Sequence, residues 1–213
     1  MEIVYKTTLC LHILSGFLAL LCGCVSVISK KGGKLHRNSG KVFFYSMLAV
    51  CFTSVYIAIV KDNTFLLSIG IFSFYLNYFG YMAIRDKSLR PKPLDWLVLL
   101  AAAVNSFFMV YSMNTVLMVF GAMCFFGIIQ DLRTSIAVLQ GKPLAKLMWL
   151  RRHIGMMMGA FIATTTAFLV VNMAFFAPLH LPAWFAWLLP TFILLPLIVY
   201  FTRKYITRRN VPE

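Results

Sequence analysis

The chain has 213 residues, of which 61% are hydrophobic and only 12% charged, and its formal net charge is +14. Its mean hydropathy is +0.84. A soluble domain of this length is nearer half apolar and a quarter charged, so the composition leaves no room for a sizeable soluble domain and points to a multi-pass membrane protein.

The cations also argue against a nucleic-acid partner, because they fall in short blocks between apolar runs, as loop charges do. The partners this distribution implies are the lipid bilayer and the anionic lipid headgroups on its cytosolic side. Five cysteines, Cys10, Cys22, Cys24, Cys51 and Cys124, lie in or beside apolar runs without a CxxC pair. They are expected to stay reduced. The start, MEIVYK, carries an acid and no cleavage site follows, so the first apolar run is expected to be retained as a helix.

Seven apolar segments predict an all-α bundle of seven transmembrane helices forming a single domain. They span about 8–29, 42–60, 64–84, 95–112, 114–130, 149–176 and 182–202. Most reach the roughly 20 residues needed to cross about 30 Å of hydrocarbon. Eighteen of the twenty Lys and Arg fall on one side of this arrangement, leaving Lys6 and Lys61 on the other. That asymmetry predicts an external N-terminus and a cytosolic C-terminus. Short outer links at 61–63, 112–114 and 177–181 predict antiparallel pairs of helices two and three, four and five, and six and seven. The stretch RDKSLRPKPLD holds two prolines and is expected to be extended. Leu132 to Leu139 reads as a short interfacial helix that breaks at Gln-Gly-Lys-Pro, and Pro190 and Pro196 are expected to kink the seventh helix.

No motif names a reaction, so enzymatic activity stays open. Small residues four apart, Gly155 with Gly159 and Ala19 with Gly23, predict close helix packing, or room for a flat cofactor. Four histidines divide two and two. His12 lies about 25 Å from the cytosolic end of the first helix, near the outer face. His180 is in the outer loop between helices six and seven. His36 falls in the first cytosolic loop, and His153 about one turn inside the cytosolic end of helix six. Such an arrangement disfavours a three-histidine zinc site but allows one b-type haem per face, a route for electrons across the bilayer. The competing reading is a transporter, receptor or assembly factor with a polar pocket lined by Asn77, Asn105 and Asn172. At the cytosolic face Asp131 is expected to pair with Arg133, Arg151 or Arg152, in a charge cluster that includes Arg37. Tyr45, Phe72, Phe74, Tyr75, Tyr78, Phe79 and Tyr81 make helices two and three aromatic, which suits core packing or an apolar ligand pocket.

One resemblance is visible. The stretch LHILSGFLALLCGCVSVISKKGGKLHRNSGKVFFYSM is similar to the opening of an uncharacterised group of bacterial multi-pass membrane proteins, a domain of unknown function. The likeness is carried by His12, Gly16, Gly23, Lys31, Gly32, His36, Arg37, Gly40, Lys41, Tyr45, Ser46 and Met47. HIGMMMGAFIATTTAFLVVN and WLLPTFILLPLI resemble the same group. The resemblance implies a bacterial inner membrane and singles out His12, His36, Arg37 and His153, but implies no activity.

Overall fold

A computed structural model describes residues 2–175 and 182–207. The described chain is helical, with α1 Glu2–Ile28, α2 Lys34–Val60, α3 Thr64–Arg85, α4 Pro93–Tyr111, α5 Thr115–Leu139, α6 Met148–Val171 and α7 Ala183–Thr202. A π-helical turn, Arg203–Thr207, continues α7. All seven helices are long and apolar enough to cross a membrane.

Three helices run past the limits that apolarity suggests, the first of them beginning at Glu2 rather than near 8. The second begins at Lys34 rather than near 42, which puts His36 on the first turn of α2 and not in a loop. Its 27 residues extend roughly 40 Å, against about 30 Å of hydrocarbon, so a polar end reaches the headgroup layer. Apolarity reports only the part of a helix that lies in hydrocarbon. Likewise α5 continues without a break from Thr115 to Leu139, so Leu132 to Leu139 is its last two turns and not a separate interfacial helix.

The ends of the helices follow from local chemistry. After α1 the chain reverses at Gly32, whose φ of +75° suits a residue without a Cβ. Asn63 accepts the Leu66 N–H at 2.9 Å to open α3. Asn114 accepts from Val116 and Leu117 to open α5. The helix stops where Gly141 takes a φ of +69°. In the link to α4, Asp86 to Leu89 form a turn in which Ser88 donates to Asp86 at 2.5 Å, and only the residues beyond are extended. That contact holds the Asp86 carboxyl below its usual range. Pro93 opens α4, and Asp95 accepts the Lys92 N–H at 2.8 Å.

Sequential pairs pack together, α1 on α2, α2 on α3, α4 on α5 and α6 on α7, and α3 also packs against α4, α5 and α6. It is the hub of the bundle, and its residues from Tyr75 to Tyr81 are all buried. Tyr75, Phe79 and Tyr78 stack edge to face there, and Tyr81 lies flat on Phe44 at 3.8 Å. Tyr45 is the exposed member of the aromatic set, at 60%, with its ring edge-on to Phe44 at 5.1 Å.

The first helix buries just two residues, Ala19 and Gly23. Both are small, which lets its backbone approach α2 and α6. A Cβ on Gly23 would press on the Phe161 ring and lie 3.2 Å from Phe43. Gly23→Leu is therefore expected to destabilise the bundle by about 1–3 kcal/mol, checked by thermal unfolding in detergent. In α6, Gly159 meets Leu76 of α3, whereas a Cβ on Gly155 would meet nothing within 4 Å. Of that pair of glycines only Gly159 marks a helix contact. The five cysteines are free.

Candidate functional site

The basic ends of α1, α2 and α6 converge on two histidines. Ser26, near the end of α1, has a carbonyl with no onward helical partner. His36 reaches it with Nδ1 at 3.0 Å, and Lys31 Nζ donates to the same oxygen at 2.8 Å and to the Val27 carbonyl. Lys31 also stands 4.4 Å over the Phe201 ring. Burial pulls its pKa below the usual lysine value. Together His36 and Lys31 cap α1, and the Lys31 cation suits the helix dipole there.

His153 comes from the second turn of α6. Its Nδ1 lies 2.8 Å from the Gly80 carbonyl of α3. This approach depends on Gly80 lacking a side chain, since a Cβ would sit 2.9 Å from the Met157 backbone nitrogen. The His36 and His153 rings then stand 6.5 Å apart, centroid to centroid, at 88° to one another. A carbonyl only accepts, so each Nδ1 carries a proton, and in the neutral imidazole each Nε2 then keeps its lone pair. This is the tautomer of a metal-ligating imidazole steered by a backbone carbonyl.

His12 engages α2 through its Nδ1 as well. Its Nδ1 is 2.9 Å from Thr53 Oγ1, a hydroxyl that also lies within hydrogen-bond distance of the Ala49 and Val50 carbonyls. Seventeen residues of α2 separate Thr53 from His36, roughly 25 Å, so His12 serves the opposite half of the bundle. His180 lies outside the described residues.

Charge at the basic end is organised by a carboxylate. Asp131 of α5 is 3% exposed. It accepts from Tyr75 Oη at 2.7 Å and stands 2.9 Å from Arg152 Nε. The Arg152 guanidinium lies 4.3 Å over the Phe79 ring, and its Nη2 is buried without a protein partner. Of the three arginines the sequence offers as partners, Arg152 makes the pair, while Arg133 and Arg151 stay exposed. Arg37 is exposed on α2 and takes no part in this network. Tyr78 makes a second such contact, donating to Asp95 at 2.6 Å. Fifty-six residues separate Tyr75 from Asp131, and no local spacing signals that contact.

The three asparagines are dispersed. Asn77 donates to the Phe44 carbonyl at 3.0 Å and joins α3 to α2. Asn105 donates to the Ser68 carbonyl and joins α4 to α3. Asn172 donates to Phe168 of its own helix, just past the end of α6. Each serves a separate helix contact or helix end.

Seven apolar helices around an aromatic hub define a multi-pass integral membrane protein. Residues 9–92, from α1 to the link before α4, match the model of a family described as predicted membrane protein, DUF2306. The matched stretch carries His12 and His36; His153 and the similar-looking blocks in α6 and α7 lie beyond it. No curated protein and no solved structure matches the chain.

Proposed function

We propose that this protein binds one b-type haem between His36 and His153, with its basic end at the cytosolic side of a bacterial inner membrane. The observation that carries the reading is the ring pair at 6.5 Å with both Nδ1 atoms held by carbonyls. A separation of this order is compatible with both imidazoles reaching one metal through Nε2, with metal–nitrogen bonds of about 2.0 Å. Among the described residues no three His, Cys, Asp or Glu cluster as a metal site. Two histidines suit a group that brings its remaining ligands with it, as a macrocycle does.

When bound, a haem supplies one-electron redox chemistry. His36 and His153 would hold it, and the two carbonyls would orient them. Electron transfer across the membrane extends this reading, with His12 as a ligand toward the opposite face. Orientation rests on the Lys and Arg asymmetry, which also makes anionic headgroups the natural surface for the basic end.

The test is an absorption spectrum of protein produced with ample haem, oxidised and then reduced, with iron analysis. A Soret band and sharp reduced α and β bands are expected. His36→Ala and His153→Ala should each lower haem content at least tenfold, while His12→Ala leaves the basic-end haem in place. The 6.5 Å separation also falls within the edge-to-face range of two packed rings. A colourless, iron-free but folded protein would leave the pair as a cap and packing contact and end the proposal.

A further inference from the structure

We propose that a cavity at the basic end, walled by α5, α6 and α7, binds the phosphate headgroup of an anionic phospholipid. The site is separate from the histidine pair and does not depend on haem. It arises from the packing order. The fifth helix packs on α4 and α3, and the seventh on α6, so α5 and α7 flank the start of α6 and leave a gap between them. The resulting space is about 510 Å³ and is lined by Arg151, Arg152 and Arg203, with Asp131 as the acid among its lining residues.

The charge balance of this cavity calls for an anion. Asp131 is already engaged by Tyr75 and Arg152. Arg151 and Arg203 are exposed into the opening, and Arg152 Nη2 has no protein partner. Three guanidinium groups against one carboxylate leave an excess of two positive charges beside hydrocarbon, where water screens poorly. Guanidinium forks match phosphate oxygens in pairs.

The walls select a lipid over a free anion. Phe126, Met123 and Val199 line the same space and are exposed at 65%, 44% and 45%. An acyl chain would cover them while the headgroup meets the arginines. Gly155 lies on the cavity wall with nothing within 4 Å of where its Cβ would be. The space beside it is open, and a side chain there would fill the cavity without pushing on the helices.

The experiment is native mass spectrometry of the delipidated full chain, titrated separately with phosphatidylglycerol, phosphatidylcholine and inorganic phosphate. One phosphatidylglycerol per chain should bind at least tenfold more tightly than phosphatidylcholine, and inorganic phosphate should bind far more weakly than either. Arg151→Ala combined with Arg203→Ala should weaken phosphatidylglycerol at least tenfold, and Gly155→Leu should do the same with no change of charge. Lys142→Ala with Lys146→Ala removes equal charge from exposed positions outside the cavity and should change affinity less than twofold. Equal loss in that lysine variant would mean diffuse attraction and overturn the site. So would unchanged binding in Gly155→Leu, phosphatidylcholine binding as tightly as phosphatidylglycerol, or phosphate binding as tightly as the lipid.

Discussion

Replacing Gly80 with alanine is expected to destabilise the bundle by about 1.5–4.5 kcal/mol and, on the haem proposal, to lower haem content without touching either histidine. The added Cβ would lie 2.7 Å from Met157 Sδ and 2.9 Å from the Met157 backbone nitrogen. A methionine side chain can swing away, but a backbone atom in a helix cannot. The third and sixth helices must therefore separate by a few tenths of an ångström. Overpacking of this kind costs about 1–3 kcal/mol. Separation also stretches the 2.8 Å contact from His153 Nδ1 to the Gly80 carbonyl, a further loss of about 0.5–1.5 kcal/mol. With that carbonyl displaced, His153 loses the contact that fixes its tautomer and its ring plane. Thermal unfolding in detergent and the haem-to-protein ratio read the two effects separately. Gly155→Ala is the control on the partner helix. Its Cβ enters open space, so it should be neutral or stabilising by up to about 1 kcal/mol, through helix propensity alone. Equal stability of Gly80→Ala and wild type would show that α3 and α6 do not approach closely at this glycine.

These glycines also illustrate what was legible in the sequence. Apolar runs and cation blocks suffice to count the helices and pair their neighbours, because a bilayer admits little besides helices of the right length. Helix limits outside hydrocarbon are less legible: KLHRNSGK is polar, yet it continues α2, since a helix needs no apolar surface in the headgroup layer. The cluster of His36 with His153 was visible only as two histidines near one face. Their distance depends on α3 standing between α2 and α6, and that depends on which small residues meet which neighbours. Gly155 and Gly159 look alike in sequence, but one faces Leu76 and the other an open cavity. The asparagines suggested a shared pocket because polar groups turn inward in lipid. Inward positions on different helices do not have to meet, and here each finds a backbone carbonyl of its own.

Breaking the Asp131–Arg152 pair should be the most costly single change at the basic end, about 3–5 kcal/mol for Asp131→Ala. Both side chains are nearly buried, at 5% and 11% exposed. Removing the carboxylate leaves a nearly buried guanidinium without its counter-charge, stacked 4.3 Å over the Phe79 ring. Tyr75→Phe removes just one charge-assisted hydrogen bond and should cost less, about 1.5–3 kcal/mol. The ordering distinguishes a buried ion pair from a hydrogen-bonded carboxylate that Arg152 merely happens to approach. The double variant Asp131→Leu, Arg152→Met supplies the decisive comparison. It removes both charges, keeps an apolar stem against Phe79, and should recover most of the stability that Asp131→Ala loses. Recovery would mean that the cost lies in the orphaned charge. If the double variant were as unstable as Asp131→Ala, the loss would come from the hole left around Tyr75 instead, and the pair would have little role in holding α5 to α6.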